Sequence, residues 1–495
     1  MQLQFKKKTC TYVRELIGQC REQELTDELR LPDNMEDIGR VLGAWGQVLI
    51  RGKEWRPDRV GASGGVMVWV LYIPENDTKP QMVESWLPFH EQWPIPDSQQ
   101  DGSIIITGHL TFCDARSVSA RKLILRAGLC LDVRIFTTAT ENLFVPENLP
   151  EHVQVRVSAH SVMLPAEAGE KSFTLDEQLP APPNSPKLHR ILRYNMLPQI
   201  LEQRVSGSRV IFRGIALVHI MGLDEDGQLQ SFDIEVPFSQ YAQLDREYEE
   251  GAEAAVWLAV TNLELEATEN QIYSMKAGLS GQYLIREKTC LEVAEDAYSP
   301  GCEIETERLK MNIPTVINEA CTKVTAQRPC PCDGVRISDV EFFPGFPECH
   351  YEEDHAEIML SGRFHVLYYD REGQLQNMTA KWTQQESASC EKGTQVRACV
   401  MPCGKSAATL NEAQGALLLN CCSHSTEGME MISAVTVGVE KTGQAERPAM
   451  IVCRAGTSDL WSIAKKTGST VDAIRTMNEL RGEPEPDQIL LIPVM

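Results

Sequence analysis

Ten of the chain's sixteen cysteines fall between Cys302 and Cys422, and cysteine is the residue type best suited to thiol chemistry or to holding a soft metal. Their spacings are CPC at Cys330 to Cys332, C-x3-C at Cys399 and Cys403, and the vicinal pair Cys421-Cys422. No pair has the C-x2-C spacing of a zinc ribbon, so the pattern reads as buried or incidental thiols, with metal binding the lesser alternative. His350 and His355 in HYEEDH set imidazoles beside carboxylates, but without a helical frame to orient two ligands the segment reads as a solvated acidic loop. Gly61-Ala62-Ser63-Gly64-Gly65 fits G-x-S-x-G formally. A nucleophile elbow needs a strand before it and a helix after it, whereas this stretch opens a strand. Asp224-Glu225-Asp226-Gly227 starts like a calcium loop and lacks the later ligands, which leaves a hairpin turn. Neither G-x4-G-K-[ST] nor G-x-G-x-x-G at a strand-to-helix junction occurs. The expectation is a protein with no catalytic residues, no metal and no cofactor.

The charge balance narrows the partners. A formal net charge of −23 over 495 residues repels phosphate backbones and anionic lipid, which argues against nucleic acid. The first 21 residues run against this trend at +4, through Lys6, Lys7, Lys8, Arg14 and Arg21 against Glu15, and read as a solvated basic strand. The N-terminus carries no apolar stretch of secretory length, and no window approaches a transmembrane span. A cytoplasmic location with reduced thiols is therefore expected.

Any chemistry must be positioned by repeated β elements. The pairs Leu31-Pro32 and Leu179-Pro180 lie 148 residues apart. Three Gly-led apolar strands, GVMVWVLY from Gly65, GIALVHIM from Gly214 and GRFHVLYY from Gly362, follow at separations of 149 and 148. DGQLQ at Asp226 to Gln230 recurs as EGQLQ at Glu372 to Gln376, Pro88-Phe89 as Pro237-Phe238, and Ala127-Gly128-Leu129 as Ala277-Gly278-Leu279. A fixed period of this kind predicts tandem units, and alternating runs such as SRVIFRGIALVHI predict strands. The third copy is divergent: it shows no Leu-Pro opening, and Lys381-Trp382 stands where the others have Pro-Phe. The predicted fold class is mainly β, with three tandem all-β, sandwich-like repeats at 1–165, 166–298 and 299–443. A polar stretch from Lys441 to Met450 then reads as a linker to a tethered C-terminal module at 446–495.

That module changes pattern. After the short strand MIVC from Met450, Leu460, Ile463 and Ala464 share one helical face, and Val471, Ile474 and Met477 form a second stripe. Thr457 or Ser458 is placed to cap the first helix, Ser469 or Thr470 the second. Asn478, tolerant of the left-handed conformation, can end it before ILLIP returns as a strand. The segments GTSDLWSIA, TVDAI, Asn478-Glu479-Leu480 and DQILLIP resemble the LysM domain pattern, departing from it in a first loop one residue longer and in Ile451 where tyrosine is frequent. The resemblance implies a groove between the loop before the first helix and the loop after the second. Its candidate residues are Gly456, Thr457, Ser458, Asp459, Leu460, Asn478, Glu479, Leu480, Glu483, Glu485 and Asp487. LysM domains usually hold N-acetylglucosamine there.

Upstream, LTDELRLPDNMEDIGRVLGAWGQVLI with its Gly-led strand and turn resembles the SPOCS domain of endospore-forming bacteria. Tandem SPOCS domains with a terminal LysM are the architecture of SipL-type spore coat morphogenetic proteins. This resemblance implies a non-enzymatic scaffold in the mother-cell cytoplasm, at the outer forespore surface and spore coat, linking the coat's basement-layer ATPase protein to other coat proteins. Two alternatives stand beside it: binding of peptidoglycan or N-acetylglucosamine oligomers after an unusual export route, and an enzyme with an unrecognised pocket. In NELRGEPEPDQ, Glu479, Glu483, Glu485 and Asp487 face only Arg481, a local −3 that suits a basic protein surface better than a neutral sugar.

Overall fold

Alternating apolar and polar residues make strands wherever one face can be buried, and here they do so almost throughout. The computed structural model describes residues 2–96, 101–268, 271–311, 313, 315–351, 355–389, 394–425, 428–440 and 449–494. A short strand β1 (Gln2–Gln4) comes first. The first repeat holds β2 (Lys6–Arg30), β3 (Ile38–Arg56), β4 (Arg59–Pro74), β5 (Gln81–Pro94), β6 (Ser103–Ser119) and β7 (Lys122–Val145). The second holds β8 (Gln154–Pro180), β9 (Arg190–Ser206), β10 (Arg209–Leu223), β11 (Leu229–Gln243), β12 (Glu253–Ala267) and β13 (Ile272–Tyr298). In the third the outer strands are divided: β14 (Cys302–Met311), β15 (Thr315–Pro329), β16 (Gly334–Pro344), β17 (Glu348–Tyr351), β18 (His355–Asp370), β19 (Leu375–Ser389), β20 (Thr394–Pro402), β21 (Ala407–Ala408), β22 (Glu412–Ser425) and β23 (Met429–Glu440). The C-terminal module is β24 (Met450–Arg454), α1 (Leu460–Thr467), α2 (Val471–Met477) and β25 (Ile489–Pro493).

Each repeat is a pair of antiparallel sheets built on one plan. The first, last and fifth strands form one sheet, β2-β7-β6, β8-β13-β12 and β15-β22-β20; the middle three form the other, β3-β4-β5, β9-β10-β11 and β16-β18-β19. The register explains the divergent third copy. Phe89 lies opposite Gly64, Phe238 opposite Gly214 and Trp382 opposite Gly362. A Cβ on Gly64 would meet the Leu49 carbonyl at 2.1 Å, and one on Gly214 the Gln199 carbonyl at 2.0 Å. Glycine is required there because neighbouring backbone leaves no room, and an aromatic ring covers the gap from the next strand. Lys381-Trp382 is therefore the third copy's equivalent of Pro-Phe. Gly64, rather than Gly65, is the first copy's equivalent of Gly214.

The 148-residue match of the Leu-Pro pairs needs correction. Leu31 N–H donates to Arg121 O, Ala181 N–H to Gln271 O and Cys330 N–H to Asn411 O, at 2.9, 3.0 and 2.7 Å. Equivalent turns then bond Met35 N–H to Pro32 O and Ser185 N–H to Pro182 O. The true counterparts are Leu31-Pro32, Ala181-Pro182 and Cys330-Pro331, so the third copy's missing opening is Cys330-Pro331. The expected boundary at 165/166 also moves. It falls inside β8, which pairs with β13 from Gln154 to Pro180; the chain leaves the first repeat after Val145.

The turn and strand expectations for the other motifs can be placed directly. Asp224 to Gly227 is the β10–β11 hairpin turn, with Gly227 at φ 78° and the Asp224 carboxylate accepting the Gln228 N–H at 2.8 Å. Asp370 plays the same part for Gln374 in the third copy. Gly61 to Gly65 lies within β4, so Ser63 sits on no elbow. His350 and His355 lie on β17 and β18, and 352–354 fall outside the described residues. The fifteen described cysteines are unbridged, and no group of three or more His, Cys, Asp or Glu among the described residues is placed to hold a metal ion.

The three repeats close into a ring rather than lying in a row. Arg40 Nη2 of the first donates to Leu375 O of the third at 2.6 Å, Leu229 N–H of the second to Tyr369 Oη of the third at 2.7 Å, and Met196 N–H of the second to Gln47 Oε1 of the first at 2.8 Å. Head-to-tail contacts that close after three units form a pseudo-cyclic assembly within one chain. β1 pairs with β23 in the third repeat, so the N-terminus is sewn to the end of the ring. The long outer ribbons kink at bulges, after Glu15 in β2 and beside Pro165 in β8. Beyond the kinks Tyr12, Leu143, Val162, Leu291, Val293, Met311 and Met431, drawn from all three repeats, share one core.

The ring centre is polar, which alternation could not reveal. Gly43, Arg193 and Asp339 occupy one register position, opposite Leu71, Met221 and Leu367. Trp69, His219 and His365 occupy the next, opposite Trp45, Asn195 and Glu341. Arg193, wholly buried, pairs with Glu341 and lies 3.7 Å from Asp339; its guanidinium sits 4.9 Å over Trp45. His219 Nδ1 meets Asp233 at 2.8 Å and Nε2 meets Asp339 at 3.0 Å. Burial works against the His219 cation, but the Asp339 and Asp233 carboxylates outweigh it and push its pKa up to about 10. Burial likewise works to raise Asp339, yet His219 and Arg193 hold it well below the carboxylate range. At the Gly43, Arg193 and Asp339 position each repeat brings a different residue type to the same site.

Candidate binding surface of the C-terminal module

A module of this size must make its core from few side chains. β24 and β25 pair antiparallel from Met450 opposite Pro493 to Arg454 opposite Ile489. Leu460, Ile463 and Ala464 of α1 and Ile474 of α2 pack on Leu490 and Ile492. Asp459, not Thr457 or Ser458, caps α1, accepting the Ser462 N–H at 3.0 Å. Its carboxylate can satisfy a helix-end donor and favours the positive end of the dipole. Thr470 caps α2 through the Ala473 N–H at 3.2 Å. Asn478 ends α2 at φ −107°, and the left-handed residue is Glu479 at φ 52°. The Asn478 amide instead sews α2 to β25, donating to Ile474 O and Leu491 O and accepting from Leu491 N–H, at 2.8, 2.7 and 2.7 Å.

The two loops named from sequence run side by side. Gly456 N–H donates to Pro486 O at 2.8 Å, Ala455 N–H to Gln488 O at 3.0 Å, and Leu460 N–H to Glu483 Oε2 at 2.8 Å. Gly456, Thr457 and Ser458 are exposed, as are Glu479, Glu483, Glu485 and Asp487; Asp459, Asn478 and Leu480 are half-buried. Leu460 is wholly buried and offers no surface to a ligand, so it belongs to the core. The local −3 is also softened by arginines outside the loop, Arg475 at 3.9 Å from Glu483 and Arg454 at 3.6 Å from Asp487.

What sequence reasoning missed is where the module sits. It is docked on the second repeat instead of hanging free. Trp461 Nε1 donates to Asp296 Oδ2 at 2.9 Å and Lys465 Nζ to the same oxygen at 2.7 Å. The Tyr298 hydroxyl donates to Ser469 O at 3.0 Å while its ring meets Trp461 edge-on at 4.9 Å, and Arg156 Nη1 reaches Asp459 Oδ2 at 2.8 Å. Burial works to raise Asp296, but Lys465 and Trp461 outweigh it and hold it below its ordinary value; burial with the nearby Asp296 charge pushes Tyr298 up to about 12. Asp459 is held low by Ser462 and then by Arg156. No local signal announces Asp296 and Tyr298, since they lie more than 160 residues from their partners. Asp296→Ala should leave Lys465 and Trp461 without their acceptor, at about 1–3 kcal/mol. Faster amide exchange across α1, with the repeats unchanged, is the expected result.

A two-stranded sheet covered on one face by two capped helices, with paired loops at one end, defines a small βααβ binding module. Residues 459–493 match the LysM domain family, and a carbohydrate- or peptidoglycan-binding role is what that match supports. No curated protein and no solved structure matches the chain. No helix among the described residues is long and apolar enough to cross a membrane.

Proposed function

We propose that the protein is a non-enzymatic scaffold of endospore coat assembly, acting in the mother-cell cytoplasm at the outer forespore surface. It joins the coat's basement-layer ATPase protein to other coat proteins. The SPOCS-like character of the repeats suggests the setting, and the docked module carries the mechanism. A LysM domain fixed by Asp296, Tyr298 and Arg156 to a closed ring presents its loops from a rigid body, which lowers the entropy cost of capture. Glu479, Glu485 and Asp487 are exposed on that body, where surface carboxylates steer a basic partner.

The LysM match favours a second reading, in which the same groove holds N-acetylglucosamine polymers. The two separate by salt. Lysine at both Glu485 and Asp487 leaves the Glu483 contact to Leu460 in place, unlike a change at Glu483 itself. On the scaffold reading the double variant should slow association with the basement protein by about tenfold at low ionic strength and much less at high salt. Surface plasmon resonance at two salt concentrations measures this. Salt-independent co-sedimentation of the full chain with purified peptidoglycan, unchanged in the variant, would sink the protein-docking reading.

A further inference from the structure

A cavity of about 700 Å³ opens where the three repeats meet, walled by β3 and β6 of the first, β9 and β12 of the second, and β15, β16, β20 and β22 of the third. Its size falls in the range of small-molecule sites. Polar and apolar groups share the wall in similar measure, and its charges are already matched or solvated. Glu319 pairs with Arg286 and Glu341 with Arg193, while Glu253 is exposed to solvent. Burial pushes His109 down to about 4, which leaves its imidazole neutral near pH 7. An ionic guest would find no free counter-charge inside.

Most polar side chains of the wall are engaged or out of reach. Gln47 Oε1 accepts the Met196 N–H, Gln203 Oε1 the Val256 N–H, and Asn195 Oδ1 a proton of Arg193 Nη2. His109 Nε2 and Gln199 Nε2 are fully enclosed and cannot be reached from the cavity. Two groups differ. Thr107 on β6 of the first repeat, 6% exposed, and Asn420 on β22 of the third, half-buried, line the cavity and make no side-chain hydrogen bond with any described residue, yet their polar atoms are not sealed off. Alternation along β6 places Thr107 on the face of Ile105, which shares a core cluster with Trp257 of the second repeat, and away from the face of Ile106 and Leu110 in the first repeat's own core. Asn420 lies directly opposite Cys321, whose thiol is exposed on the same wall. A hydroxyl and a carboxamide each donate and accept without carrying charge. Their natural complement is a group that does the same.

We infer that this inter-repeat cavity binds one uncharged amphipathic small molecule, whose hydroxyl groups hydrogen-bond Thr107 and Asn420 while its apolar part lies against Trp257, Phe342 and Met401. The first and third repeats each supply one polar group and the second supplies Trp257. Such a ligand binds only the closed ring and stabilises it through mass action.

4-Methylumbelliferyl β-D-glucopyranoside, an uncharged molecule with hydroxyls at one end and a flat apolar ring system at the other, is the probe, and equilibrium dialysis against the full chain reads its binding. Saturation at one site per chain is expected, with a dissociation constant on the order of 100 μM. Thr107→Val and Asn420→Leu remove the two polar groups and have no side-chain hydrogen bond within the described chain to lose, so each should leave the chain folded and weaken binding at least about fivefold. 4-Methylumbelliferyl phosphate, the same ring system with an anionic group, should not bind. Saturating glucoside should also suppress alkylation of Cys321 by iodoacetamide, followed by peptide mass spectrometry. The inference is overturned by an absence of saturable binding, by binding that neither substitution weakens, which would place the glucoside on the C-terminal module, by phosphate binding as tight as that of the glucoside, or by alkylation of Cys321 that the glucoside does not slow. If one variant fails to fold, the other and the protection of Cys321 still decide.

Discussion

Asp339→Ala is expected to lower the stability of the repeat ring by about 3–5 kcal/mol, because removing one member of a buried ionic cluster strands the others. Arg193 is wholly buried and His219 partly buried, and both face the Asp339 carboxylate from the second repeat. Glu341 and Asp233 cannot take its place, since each is already engaged by one of the two cations. Denaturant unfolding followed by far-ultraviolet dichroism measures the loss. Asp339→Asn, which keeps volume and acceptor but not charge, should fall between the two. The same cluster sets a pH dependence. His219 has a folded value near 10 against an unfolded value of about 6.5, so its contribution is fully present below about pH 6.5 and is lost as pH rises through about 10. His219→Phe should flatten the alkaline limb of the stability profile. A midpoint unmoved by Asp339→Ala would mean that water reaches the ring centre and screens the cations.

The strands, their threefold repetition and the helical end were legible because each depends on local pattern. Alternation gives strands and a 3.6-residue stripe gives α1 and α2. The divergent copy was opaque because residue identity is a poor proxy for register. Trp382 does the work of Phe89 and Phe238 by covering a glycine, and Cys330-Pro331 the work of Leu31-Pro32 by opening the same turn, yet neither pair looks alike in a sequence. Matching Leu-Pro to Leu-Pro even pulled the alignment two residues out, since Leu179 is still on β8 and pairs with Tyr273. Within the module the loops and caps were found to within a residue. Asp459, a groove candidate from the resemblance, is the α1 cap, and spacing alone did not single it out from Thr457 or Ser458. The ring centre and the docking contacts were not legible at all. Arg193, Asp339, Asp296 and Tyr298 carry meaning only through partners brought to them by closure of the whole chain.

Ile463→Asp should unfold the C-terminal module and leave the ring standing. Ile463 is almost fully buried among Leu460, Ile474, Leu490 and Ile492, and a carboxylate placed there finds no cation, because Lys465 is turned outward to Asp296. The cost of several kcal/mol exceeds what so small a core can supply, since a module of this size buries too little surface to hold a large reserve. Docking does not rescue it. The contacts from Asp296, Tyr298 and Arg156 hold side chains of α1 and the backbone of Ser469, and all of them require α1 to be folded first. Amide exchange should therefore lose protection from 450 to 493 together with the neighbourhood of Tyr298, while β3, β4, β10 and β18 keep theirs. Binding by the LysM loops, whether to protein or to glycan, should disappear. If the ring loses protection in the same transition, module and ring form one cooperative unit, and the docking interface rather than the module's own core sets its stability.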